Sequence, residues 1–344
     1  MTTRYATAQS TPHTQQVGEE ISERVRFYDY HPTPADIRAE VLAGLAAPAK
    51  YLPPKLFYDE RGSQLFDAIT ELSEYYPTRT EIGILRAHGA EMAERLGRGS
   101  VLIELGSGSS LKIQTLLAAL EPRVYIPVDI SREHLLKSAR ALATRFEDVR
   151  IRATCADYSR DFELPLDPDW RDLAAFFPGS SIGNFEPTEA RRLLTRVANL
   201  IGDGGRLLIG VDLPKDPLIL EAAYDDAQGV TAVFNRNLLT RINRELDGDL
   251  DPQAFAHQAR FNAVHSRVGM HLVSRTDQQV RVAGEVFSFR QGESIHTENS
   301  YKYDLTDFQR LAREAGFTTE QVWTDPEQLF SVHCLRRMPI EPPV

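Results

Sequence analysis

The sequence predicts an α/β fold on an open, largely parallel sheet of the doubly wound, Rossmann-like kind, and three observations lead there. Short apolar runs at 101–105, 124–128, 151–155, 173–177 and 206–211 alternate with helical segments. Runs so continuously apolar suit buried strands of a parallel sheet, and the alternation suits βαβ units. The first run passes directly into Gly106-Ser107-Gly108, with a helical pattern starting at Leu111. Such a turn between strand end and helix start brings backbone N–H groups close to a ligand. The second run ends in Asp129, placed to hydrogen-bond the ribose hydroxyls of a nucleoside one βα unit after the glycines.

The chain is 344 residues long, 42% hydrophobic and 26% charged, the make-up of a globular protein large enough for two joined units. A formal net charge of −10 leaves nothing to neutralise phosphates in quantity, which argues against a nucleic-acid partner. No apolar run is long enough to span a bilayer, and the N-terminus lacks the apolar centre of a signal peptide. Cys155 and Cys334 read as core thiols of a reducing compartment, and the nine histidines show no metal-binding spacing. The expectation is a cytoplasmic, metal-free monomer.

Residues 1–18 are rich in Thr, Gln and Ser and read as a disordered tail. Thr33-Pro34 opens a helix through Ile37, Val41 and Leu45. Pro53-Pro54 precedes an irregular stretch holding Tyr58. Tyr75 and Tyr76 precede Pro77, and Thr78 to Glu81 looks like a capping box for a helix from Glu81 to about Leu96. Past the glycine turn, Ser131 is read as a helix cap. The third run ends in Asp157-Tyr158, an acid and a ring suited to adenine. The fourth ends in P-G-S-S-I-G-N-F, which puts Gly179, Gly183 and Asn184 at the carboxyl end of the sheet. Two helices follow between about 217 and 245, then antiparallel strands over 258–289, a helix from Thr306 to Ala315 with Gly316 just past its end, and two late strands. The expected sheet has seven strands, one of them antiparallel. Residues 19–78 plus 214–300 are expected to form a second, discontinuous substrate-binding domain. Residues 79–213 plus 301–344 are expected to form the Rossmann-like one.

Glu104, just before the glycines, suits the E/D-x-G-x-G turn of S-adenosylmethionine-dependent methyltransferases. Leu111 stands where a dinucleotide turn would place its third glycine. Beyond the turn, P-P-K-L-F-Y-D, E-Y-Y-P-T-R-T-E, E-L-G-S-G-S-S-L-K, G-S-S-I-G-N-F, A-Y-D-D-A-Q-G-V-T-A-V-F-N-R-N and T-E-N-S-Y-K-Y together resemble the histidine Nα-methyltransferases of ergothioneine biosynthesis. The resemblance covers the chain from about Ile37 to Leu335. It implies a class I methyltransferase domain and a second domain closing over the amino acid. The implied reaction converts L-histidine to its trimethylated betaine, hercynine, with three S-adenosylmethionines. By matched position, Gly106 and Lys112 would contact the cofactor, Asp129 its ribose, and Asp157 with Tyr158 its adenine. Asn184 and Tyr224 would hold the substrate carboxylate, and Tyr75 and Tyr58 would lie near the α-amine. Glu298 and Ser300 would bond the imidazole, with Met270 packed beside it.

Methyl transfer from a sulfonium to an amine is an in-line displacement, for which the protein mainly supplies alignment and desolvation. An α-amine has a pKa of about 8, so a usable neutral fraction exists without a strong base. Tyrosine oxygens and faces can orient the nitrogen and tolerate the growing cation. Other readings remain: the same chemistry on another aromatic amino acid or amine such as tryptophan, a nicotinamide-dependent oxidoreductase, and a nucleoside-binding module without activity.

Overall fold

Val101, Leu102, Ile103 and Leu105 are fully buried and lie at the middle of a nine-stranded sheet. The structure is a computed structural model that describes residues 18–30, 33–108, 111–162 and 164–339. All but the last residue of the expected tail at 1–18 lies outside the described residues. In chain order the first strands are β1 (Glu19–Ser22), β2 (Val25–Tyr30), β3 (Val101–Leu105), β4 (Val124–Asp129), β5 (Arg150–Ala156), β6 (Leu173–Phe177) and β7 (Arg206–Asp212). They are followed by β8 (Phe255–Asn262), β9 (Arg267–Ser274), β10 (Gln278–Val282), β11 (Glu285–Phe289), β12 (Ser294–Tyr301), β13 (Phe317–Thr324) and β14 (Phe330–Arg337).

The large sheet runs β1-β2-β5-β4-β3-β6-β7-β14-β13. Strands β2 to β7 pair in parallel, and β14 returns antiparallel beside β7. The chain leaves β3 toward β4 and β5 and comes back to β6, so the topological switch lies between β3 and β6. Ligands of such sheets bind outside the carboxyl ends of the strands at that switch.

Two elements depart from expectation. Residues 19–30, read from sequence as part of the substrate-binding unit, extend the large sheet instead, giving nine strands rather than seven. The reason is local: Val25 and Phe27 are buried and cover the otherwise open edge of β5. The helix expected from Glu81 begins a turn earlier and spans Tyr76–Leu96, with Pro77 in its first turn. Pro tolerates that position because its missing N–H would be unpaired there anyway. Thr78 to Glu81 is therefore no capping box; Glu81 is fully buried and does other work.

Both faces of the sheet are covered. One core holds Leu102, Tyr125, Phe176 and Leu208 under helices Tyr76–Leu96, Leu111–Leu120 and Arg132–Arg145. The other holds Ile103, Ile126, Phe177 and Ile209 under helices Pro187–Ile201 and Leu305–Glu314. A third core lies apart from these and joins distant pieces of sequence. Val41, Leu45, Phe57 and Ile69 pack there with Leu220, Phe234, Leu238, Leu272 and Ile295. It is built from helices Pro34–Ala46, Glu60–Thr70 and Val230–Leu246 and the three-stranded sheet β12-β9-β8. Thr33 and Asp36 form the capping box that starts the first of these helices.

Candidate active site

The glycine turn after β3 has the backbone its residues predict. Gly106 (φ 70°) and Gly108 (φ 32°) lie in the region that favours glycine. A Cβ at Gly106 would stand 3.3 Å from the Tyr158 hydroxyl, so the bare backbone leaves a groove beside that ring. Ser107 Oγ is buried without a partner among the described residues. Asp129, ending β4, braces the turn: its carboxylate accepts from Gly108 N at 3.0 Å and from Ser131 N at 2.8 Å. Burial raises the Asp129 carboxyl above its ordinary range, and the Ser131 and Gly108 N–H groups oppose that shift. Ser131 precedes helix Arg132–Arg145 but forms no side-chain cap; its hydroxyl meets Ser63 Oγ at 3.1 Å.

Asp157 and Tyr158 follow β5. Tyr158 packs edge-on against Phe177. Asp157 Oδ2 accepts from Lys55 Nζ at 2.9 Å, and Lys55 also reaches Glu40, so the segment after Pro53 is pinned to the third strand's end. Lys112, on the helix after the glycine turn, pairs with Glu81 at 2.7 Å. The Glu81 carboxylate also accepts from Gly179 N at 2.9 Å. Lys112 Nζ lies 3.1 Å from where a Cβ of Gly179 would stand, so this bridge links the glycine turn to the loop after β6. Gly106, Asp129, Asp157 and Tyr158 thus share the carboxyl edge of β3, β4 and β5. The N–H groups of Gly106 and Ser107 bond Val128 O and that of Gly108 bonds Asp129, so what this edge offers a nucleoside cofactor is the bare backbone of the turn, the Tyr158 ring and an acid at the end of β4.

Beside it, past the end of β6, is a small, partly enclosed pocket. Tyr58, Tyr75, Asn184, Tyr224, Met270, Glu298 and Ser300 all line it, so these candidates from six separate stretches come together. Its floor is aromatic: Phe66 stands edge-on to Tyr75 and to Tyr58, and Tyr75 edge-on to Tyr224. Burial lifts the phenols of Tyr58, Tyr75 and Tyr224 above their ordinary range, so each stays a neutral hydroxyl. Gly183 lets the turn carrying Asn184 approach β12, since a Cβ there would stand 2.7 Å from Tyr301 O.

Glu298 and Ser300 project from β12 two residues apart, as alternation predicts; the bulge between His296 and Glu298 lies just before them. Asn184 Nδ2 donates to Glu298 Oε1 at 3.1 Å. Burial pushes the Glu298 carboxyl up to about 8, with Lys302 opposing. Tyr224 Oη and Ser300 Oγ are 2.6 Å apart.

Several residues of the site escaped sequence reasoning. Asp212, ending β7, is fully buried and accepts from Tyr76 Oη at 2.7 Å, Lys215 Nζ at 2.6 Å and Lys302 Nζ at 2.6 Å. Burial alone would raise its carboxyl, but the two ammonium groups outweigh that and hold it below the ordinary range. Burial lowers Lys215 to about 8. Lys302 was findable, since it continues the alternation of Glu298 and Ser300. Glu81 carried no signal of its role, because a glutamate in a helix's first turns is expected to face solvent.

The family model described as histidine-specific, S-adenosylmethionine-dependent methyltransferase matches residues 37–337. The chain is 43% identical over 297 residues to the histidine N-alpha-methyltransferase of Mycolicibacterium smegmatis, covering 84% of this chain and 91% of that one. Identity to the protein of the same description from Mycobacterium tuberculosis is 43% over 296 residues, with the same coverage. A 4-dimethylallyltryptophan N-methyltransferase of Aspergillus fumigatus is 28% identical over 320 residues, covering 88% of this chain and 94% of that one. The groove along the ends of β3 to β5, the aromatic pocket beside it and the extent of these matches have one conclusion: the chain belongs to the S-adenosylmethionine-dependent, histidine-specific methyltransferase family.

Proposed function

We propose that the protein transfers methyl groups from S-adenosylmethionine to the α-amine of L-histidine until the amine is quaternary, giving hercynine, the first step of ergothioneine biosynthesis. The observation that supports this most directly is the pairing of Glu298 with Ser300 on one strand face inside an otherwise aromatic pocket. A carboxyl and a hydroxyl suit the two ring nitrogens of an imidazole, whereas an indole offers one N–H and would leave a buried polar group unpaired. Gly106 and Lys112 would hold the amino acid end of the cofactor, Asp129 its ribose, and Asp157 with Tyr158 its adenine. When bound, the cofactor supplies an electrophilic methyl group on a positive sulfur.

The remaining chemistry belongs to the pocket. Asn184 and Tyr224 orient the substrate carboxylate, and Met270 fills the space beside the ring. Tyr58 and Tyr75 present neutral oxygens and ring faces to the amine, accepting its N–H groups early and facing the methylated cation later. Closure of the aromatic floor excludes water from the transfer. No helix among the described residues is long and apolar enough to cross a membrane. The two buried free thiols agree with a reducing cytoplasm, and we read the protein as a monomer.

Incubation with S-adenosylmethionine and each of L-histidine, L-tryptophan and histamine, followed by mass spectrometry, tests the proposal. Trimethylated histidine as the dominant product is expected. Preferential methylation of tryptophan, or of no aromatic amine, overturns it.

A further inference from the structure

Behind the pocket wall, and outside its lining, lies the fully buried side chain of Lys302. All three of its N–H groups are engaged. They reach Asp212 Oδ2 at 2.6 Å, Ser300 Oγ at 2.7 Å and Tyr224 Oη at 3.1 Å. An ammonium group has no lone pair, so Tyr224 and Ser300 must both act as acceptors toward it. The two hydroxyl oxygens are also 2.6 Å from each other, which uses one of their two protons. One hydroxyl proton remains for whatever occupies the pocket.

We propose that Lys302 is a positioning residue that fixes the hydroxyl protons of Tyr224 and Ser300, so that the pair offers the substrate one donor and one acceptor. The proposal rests on the histidine reading, which decides the direction of the chain. A substrate carboxylate can only accept, so the free proton belongs to Tyr224. Ser300 then donates to Tyr224 and keeps a lone pair for an imidazole N–H. Tyr224 Oη is filled by Lys302 and Ser300, and Ser300 Oγ by Lys302 and the ring. Every donor and acceptor is satisfied, as buried polar groups require. Behind the wall, two ammonium groups, Lys215 and Lys302, face one carboxylate, Asp212. The Lys302 ammonium thereby places a positive charge directly behind the Tyr224 and Ser300 hydroxyls. Removing Lys302 would free both hydroxyls to rotate and cancel that charge.

The test is a double-mutant cycle on histidine binding, measured calorimetrically with S-adenosylhomocysteine present. Lys302→Met is expected to weaken histidine about tenfold or more, the scale of a hydrogen bond to a charged group. S-adenosylhomocysteine binding should stay within about twofold, because Lys302 touches nothing at the cofactor edge. In a Tyr224→Phe background the same substitution should cost much less, since Lys302 acts through that hydroxyl. Equal costs in both backgrounds, or equal losses of both ligands, overturn the proposal. If Lys302→Met does not fold, the cycle of Tyr224→Phe and Ser300→Ala decides. A shared proton chain makes the double variant about as weak as the weaker single one, and independent, additive losses overturn it. Failure of the unmodified protein to bind histidine instead overturns the substrate reading.

Discussion

Glu298→Gln separates the proton on the Glu298 carboxyl from its shape. Glutamine resembles the protonated acid in size and cannot ionise, so the two proteins should differ only where Glu298 gives up its proton. Burial raises that carboxyl from 4.5 to about 8. The folded state therefore holds the proton more tightly than the unfolded chain does. The stability it confers is fully present below pH 4.5, falls as pH rises between 4.5 and 8, and is gone above.

At 1.36 kcal/mol per pKa unit, this shift bounds the loss at about 5 kcal/mol. Reorganisation around a buried carboxylate reduces what is realised to about 2–3 kcal/mol. Urea unfolding of both proteins without ligands, at intervals from pH 5 to pH 9, measures it. The two should be close at pH 5, and Glu298→Gln should gain steadily to pH 9. Parallel stability curves across that range would refute the reasoning, because they would mean that Glu298 ionises freely in the folded state.

Other perturbations address other parts of the site. Asp129→Ala should weaken S-adenosylhomocysteine by about 1.5–3 kcal/mol, the scale of bonds to a charged group; unchanged affinity by calorimetry contradicts the ribose assignment. Asn184→Ala and Tyr224→Phe should each raise KM for histidine and reduce its advantage over histamine. Histamine turnover equal to that of histidine by the unmodified enzyme would dissolve the carboxylate subsite. Gly210→Ala would place a Cβ 2.2 Å from Glu81 Oε1 and 2.9 Å from Phe330. It should cost about 1–3 kcal/mol in chemical unfolding and loosen cofactor binding through Lys112. A variant as stable as the parent would show that Glu81 is free to move.

What the sequence revealed follows from which interactions are local. The strands β3 to β7 declare themselves because both faces are buried and most of their residues are therefore apolar. Asp129 is visible because the strand ends there and the next helix begins two residues on. Glu298 and Ser300 share a face because a strand alternates. The first strands were not legible, because E-E-I-S has no buried residue and V-R-F-Y-D-Y buries only Val25, Phe27 and Tyr28, without a clean alternation. What makes them strands is the open edge of β5, which lies some 120 residues later in the chain. The Asp212 cluster was hidden for the same reason. Tyr76, Asp212, Lys215 and Lys302 are spread over three stretches, and each alone reads as an ordinary polar residue.

In the proposed reaction, the pocket would let amine methylation proceed without a general base. Each transfer to nitrogen releases one proton, except that the last leaves a fixed cation. An unpaired ionised carboxylate beside the nitrogen would instead stabilise the amine as an ammonium ion, with no lone pair to attack, and would bind the final cation too tightly to release. The pocket avoids this: its three phenols are kept neutral by burial, and its carboxyl, Glu298, is raised to about 8 and bonded to Asn184. The ionised carboxylate nearby, Asp212, is committed to Lys215 and Lys302 behind the wall. The amine thus meets oxygens that can accept a hydrogen bond without taking the proton. Deprotonation is left to the amine's own equilibrium with water, at a pKa of about 8. What the protein contributes is a fixed direction for the lone pair and faces that tolerate the charge once it has formed.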